Sequence, residues 1–140
     1  MATLAAKRTA PRGRSQARKS ARKTILAKYM DKRGIVDVSR MASGLFISRD
    51  QLAKTAGLPT TTVAKRERSL AARPQHRLRE MLEILARVED WAGGEPQALA
   101  WYRAQPIPAL DGRTAEALVR DGRAASVRNY LDQVALGGFA

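Results

Sequence analysis

The stretch Arg49-Asp50-Gln51-Leu52-Ala53-Lys54-Thr55-Ala56-Gly57-Leu58-Pro59-Thr60-Thr61-Thr62-Val63-Ala64-Lys65-Arg66-Glu67-Arg68 reads as two helices joined by a tight turn. Ser48 with Gln51 forms an S-x-x-Q capping box that opens the first helix. Gly57 closes it, because the turn needs a left-handed residue and glycine adopts that conformation without a Cβ clash. Ala53 is small where the helices would cross, and Leu52, Leu58 and Val63 can lock them together. The second helix is expected from about Thr60 to Leu70. These are the residue types of a helix-turn-helix spanning 49–68. Thr60, Thr61 and Thr62 can reach phosphates and base edges from the helix start, while Lys65, Arg66 and Arg68 supply charge and guanine contacts. The plainer alternative is an α-hairpin that binds nothing.

Helical patterning continues on both sides. Upstream, Ile25, Leu26, Tyr29 and Met30 share one face, with Gly34 as a stop, and Val38, Met41, Ala42 and Leu45 repeat the pattern behind an Asp37 cap. Downstream, Pro74 sits in the first turn of a helix over 75–91, whose Leu78, Met81, Leu82, Leu85 and Val88 make an apolar stripe. Glu83 and Arg87 are spaced for an ion pair on its outer side. Gly93-Gly94 interrupts the pattern and marks a module boundary. Pro96 opens a short helix through Trp101 and Tyr102, and Pro106 and Pro108 impose an extended link. Thr114 caps a helix closed by Gly122; Val127, Tyr130, Leu131 and Val134 stripe the last one. No sustained alternation favours strands, so the fold class is all-α. Three segments follow: a basic arm at 1–24, a helical DNA-binding domain at 25–92, and a second helical domain at 93–140.

Charge sharpens this division. The 140 residues carry a formal net charge of +13, and residues 1–24 hold eight Lys or Arg with no acid. Residues 25–90 remain basic, whereas 91–140 balance five against five. A basic front is the footprint of a phosphate-backbone partner, and the neutral back needs a different one. The arm itself is poor in large apolar groups and is expected to be disordered, either as an inert tail or as a DNA-gripping arm.

Several classes are excluded or disfavoured. The chain has no Cys, which removes disulfides, thiolate catalysis and the usual zinc-finger ligand sets. His76 is the only histidine and has no companion ligands, so neither a metal nor a cofactor is expected. No phosphate-binding glycine loop and no nucleophile elbow is present, which argues against an enzyme. No segment approaches the length of a membrane span. A cytoplasmic protein fits these features.

From Trp101 onward the sequence resembles the toxin-binding domain of the Xre/MbcA/ParS family of bacterial antitoxins. The resemblance rests on Trp101, Pro106-x-Pro108-Ala109-Leu110, Gly112-Arg113-Thr114, Leu118, Gly122-Arg123, Val127, Tyr130-Leu131 and Gly137-Gly138-Phe139. Asp111 departs where a glycine is common, and Ala115 where a proline is common. Upstream, the 49–68 segment is similar to an Xre-type helix-turn-helix, except that Arg66 stands where a large apolar residue usually packs inward. That departure implies either a rotated helix or a motif that keeps its shape and binds DNA weakly.

The resemblance implies an antitoxin that neutralises an NAD+-consuming RES-domain toxin by covering its active site. It also implies repression of its own operon through operator DNA. The chain would act as a homodimer or as a hetero-oligomer with the toxin. Arg113, Tyr130, Gly137, Gly138, Phe139 and Ala140 are the candidate toxin-binding residues. The alternative is a free-standing transcriptional regulator whose C-terminal module dimerises.

Overall fold

The computed structural model describes residues 25–137; the basic arm at 1–24 and the chain end at Gly138, Phe139 and Ala140 lie outside the described residues. The fold is all-α, with only two isolated bridges, Met30 to Val36 and Ile107 to Arg113, among the described residues. Residues 25–29 are helical (α1) and are followed by α2 (Val38–Gly44), α3 (Arg49–Ala56) and α4 (Thr60–Ala64). Then come α5 (Arg66–Ser69), α6 (Ala72–Ala92), α7 (Glu95–Ala104), a 3-10 turn (Pro108–Leu110), α8 (Ala115–Arg120) and α9 (Ala124–Ala135). Among these helices none is long and apolar enough to cross a membrane.

Local chemistry accounts for the helix ends. The Asp37 side chain accepts from the Arg40 N–H, both halves of the Ser48–Gln51 capping box form, and Gly57 takes φ 74°. Thr114 caps α8 through the Ala117 N–H. At the end of α2, Phe46 occupies the left-handed position that glycine usually fills, with φ 59° and 83% exposure. Asp111 likewise has φ 61°, a conformation that Asp tolerates better than most residues, which accounts for its replacing a glycine there.

The continuous helix expected from Thr60 to Leu70 is not formed. It breaks at Lys65, which is extended at φ −120° and ψ 137°, leaving α4 and α5 as separate short helices. The break has a packing reason. Val63 is buried, so an unbroken helix would carry Arg66 or Glu67 onto the same inward face one turn later. With the kink, Arg66, Glu67 and Arg68 stay exposed and Ser69 is buried instead, its hydroxyl donating to the Arg66 carbonyl at 2.7 Å.

α6 is the central post, touching α3, α5, α7, α8 and α9. It buries Ile84 and Ala86 beyond the expected stripe because elements pack on more than one side of it. At its start the buried Gln75 carboxamide bridges the Val36 N–H and C=O, at 2.7 and 3.0 Å, and the Ser69 carbonyl at 2.9 Å. One hydrophobic core runs from Ile25 to Leu131 across Gly93-Gly94.

The two halves meet at the C-terminus of α3. Thr55 cannot receive an i+4 helical bond, because Pro59 has no N–H. The buried Tyr102 hydroxyl of α7 donates to its carbonyl instead, at 2.8 Å. Arg77 of α6 donates to the Ala56 carbonyl at 3.4 Å and to the Val119 carbonyl of α8 at 2.7 Å. The Thr55 hydroxyl also donates to Glu116 of α8. Tyr102→Phe leaves a buried carbonyl without a donor, and a loss of about 1–3 kcal/mol in urea unfolding is expected; an unchanged midpoint would show that the bond contributes nothing.

Candidate functional site

Two surfaces carry unspent chemistry. On the first, α3 and α4 are joined by the tight turn at Gly57. Thr61 is exposed at the start of α4, with Thr60 and Thr62 half-buried beside it. Lys65 lies in the kink, and Arg66 and Arg68 are exposed on α5 rather than on an extension of α4. Arg68 folds back so that its guanidinium donates to the Thr61 carbonyl at 3.3 Å. Thr62 and Arg68 line one shallow cleft with Leu58, while Arg66 lines another beside α2. The kink therefore splits the sequence-predicted DNA set, keeping Thr61, Thr62 and Arg68 together and turning Arg66 away.

The second surface is an apolar groove of about 670 Å³ between the α6–α7 junction, the proline link and α9. Trp91 and Trp101 pack edge to face at its rim, with centroids 5.7 Å apart and rings at 88°. Pro106, Ile107 and Pro108 form one wall, and Tyr130, Leu131, Val134 and Ala135 the other. Trp101 is half-buried at this groove, and Trp91 is 50% exposed. Trp91 was not singled out from sequence. Its signal was the pairing of the chain's two tryptophans across Gly93-Gly94.

Arg87 borders the groove and does not pair with the Glu83 carboxylate as expected. It reaches Asp132 on α9 at 2.9 Å and the Glu83 carbonyl at 3.0 Å, while the Glu83 carboxylate meets Arg128 at 4.0 Å. Packing α9 against α6 supplies nearer partners than the helix surface does. Tyr130 lines the groove; Arg113 does not. Arg113 pairs with Asp121 at 3.1 Å and donates to the Ala117 carbonyl at 3.4 Å, so its fork is engaged within the chain. Gly137 is exposed just beyond α9 with φ 77°, and Gly138, Phe139 and Ala140 lie outside the described residues.

A polar cluster sits behind the groove, where α1 meets the α6–α7 junction. The Tyr29 hydroxyl donates to Glu95, and Lys28 pairs with the same carboxylate at 3.1 Å. Burial pushes the Tyr29 hydroxyl pKa far up, with the Glu95 hydrogen bond and charge adding to it. One carboxylate oxygen of Glu89 is enclosed without a hydrogen-bond partner. Burial raises the Glu89 pKa, and the neighbouring Glu95 charge raises it further.

Exposed His76 lies 3.5 Å from Glu80, and among the described residues no group of acids and histidines could hold a metal ion.

Residues 87–137 match the family of the antitoxin Xre/MbcA/ParS C-terminal toxin-binding domain. The match bears out the resemblance read from Trp101 onward and extends it upstream into α6. No curated protein and no solved structure matches the chain. Every residue lining the apolar groove falls within the matched segment.

The raised Glu89 pKa has a definite sign. An acid whose folded pKa lies above its unfolded value makes stability fall as pH rises between the two values. Glu89→Gln removes the disfavoured charge, so a higher melting temperature at neutral pH is expected, with the gain shrinking as the wild-type group protonates on acidification. A pH-independent difference would contradict the electrostatic account.

Proposed function

We propose that the chain is the antitoxin of a type II toxin–antitoxin system, binding its toxin through the Trp91–Trp101–Tyr130 groove and operator DNA through the helix-turn-helix. The observation that carries the reading is an exposed aromatic groove lying wholly inside the toxin-binding domain. Exposed aromatics at the rim of an apolar pocket are the usual energetic anchors of a protein interface. The groove's α9 wall runs to Gly137, and Gly138, Phe139 and Ala140, which follow it in sequence, are part of the same toxin-binding reading. The toxin on this reading is a RES-domain protein that consumes NAD+, and the antitoxin covers its active site. Inhibition is stoichiometric and needs no catalytic residue or cofactor of the antitoxin. Both partners meet in the cytoplasm.

DNA binding draws support from the basic front and from the placement of Thr61, Thr62, Lys65 and Arg68 about the turn. Operator sites are palindromic if the protein binds as a dimer.

Two experiments separate the surfaces. The first measures affinity for the RES-domain protein proposed as the toxin. Trp91→Ala is expected to weaken binding by about 30-fold or more, the loss of one anchor of about 2 kcal/mol, with little change in melting temperature. Unchanged affinity would remove the groove from the interface. In the second, Lys65→Ala with Arg68→Ala lowers affinity for the gene's own upstream DNA and flattens the salt dependence by roughly one unit per lost phosphate contact. An unchanged slope would sink the assignment of these two side chains.

A further inference from the structure

The kink at Lys65 places Arg66 in a setting that a straight recognition helix would not provide. A cleft of about 280 Å³ lies between the α1–α2 link, α2, the start of α3 and the α4–α5 kink, and Arg40, Arg49 and Arg66 all line it. Their backbones come from three different helices, α2, α3 and α5. Arg49 is steadied by a hydrogen bond to the Ser39 hydroxyl. None of the three takes part in an ion pair with a carboxylate, although Asp31 and Asp37 share the cleft.

Both acids are committed locally. Asp31 accepts from the Arg33 and Ile35 N–H groups at 2.8 and 3.0 Å, pairs with Arg33 at 3.6 Å, and has its pKa lowered chiefly by the Ile35 bond. Asp37 caps α2 through the Arg40 N–H at 3.0 Å. Arg40, Arg49 and Arg66 thus line one cleft with their donors largely unspent, Arg49 and Arg66 near the two ends of the 49–68 segment.

We propose that Arg40, Arg49 and Arg66 form a clamp for the DNA sugar–phosphate backbone, distinct from the base-reading set at Thr61, Thr62 and Arg68. The proposal rests on the DNA-binding reading and deepens it. A phosphodiester fits the chemistry: guanidinium forks bind phosphate oxygens in a bidentate manner, and an anion here meets donors from three rigid elements. Contacts of this kind fix the position of the protein on the duplex and carry no sequence information. Arg66 accordingly changes role, from a recognition-helix side chain to an anchor beside it.

The test uses the full chain, a labelled duplex from upstream of its own gene, and an unrelated duplex of equal length, titrated at several salt concentrations. Arg40→Gln with Arg49→Gln is expected to reduce the slope of log affinity against log salt by about 2, weakening both duplexes equally so that their affinity ratio is retained. Arg40→Lys with Arg49→Lys, which keeps the charge, is expected to recover the slope but only part of the affinity. Both side chains are exposed, and a matching far-ultraviolet spectrum and melting temperature certify the fold. An unchanged slope in the Gln variant overturns the clamp, and so does a collapsed affinity ratio, which would make these residues base readers. Failure of the unsubstituted chain to bind either duplex overturns the DNA-binding reading itself and the clamp with it.

Discussion

Pro59 lacks an N–H, and much of this molecule's architecture follows from that absence. Without a helical donor the Thr55 carbonyl at the end of α3 would be a buried acceptor with no partner, a state that strongly disfavours the fold. Tyr102 provides the hydrogen from α7, and Arg77 serves the adjacent Ala56 carbonyl while holding Val119 of α8. Gly57 completes the joint: a Cβ there would stand 2.9 Å from the Arg120 Cα, so α8 can approach the turn only because the residue is glycine. Helix α3 is thus seated on the segment that matches the toxin-binding domain family. A single core continues through the junction.

This seating gives the two candidate interfaces a fixed relation. The aromatic groove opens between the α6–α7 junction and α9, while α3, which carries α4, rests on α8 and α6. Any partner that shifts α7 or α8 acts on the carbonyl bonds that hold α3. The polar cluster of Tyr29, Glu89 and Glu95 ties α1 to the same junction, so the segment that follows the basic arm is also anchored on the toxin-binding domain. The two candidate surfaces are therefore joined through one continuous core.

Much of this was legible in the sequence because short-range chemistry dictates it. The Ser48–Gln51 box, the Asp37 and Thr114 caps and the Gly57 turn are decided by residues within one helical turn of one another. The toxin-binding domain was legible through its family pattern. What was hidden depends on distant partners. The break at Lys65 comes from the core's preference for Ser69 over Arg66, and the pairing of Arg87 with Asp132 comes from α9 docking on α6. Arg113 had looked free to meet a partner, yet Asp121 lies within its reach once α8 is folded. The exposure of Trp91 could not be read from periodicity, since a tryptophan at the end of an apolar stripe usually packs inward.

The central claim is that the groove-bearing domain neutralises a toxin by direct occupation. Its most direct test is to titrate the purified chain into the RES-domain protein proposed as its partner while following NAD+ consumption. The account predicts that consumption falls linearly to zero at a fixed molar ratio and stays there. Undiminished NAD+ consumption at excess antitoxin, with the two proteins eluting separately on a sizing column, would contradict it.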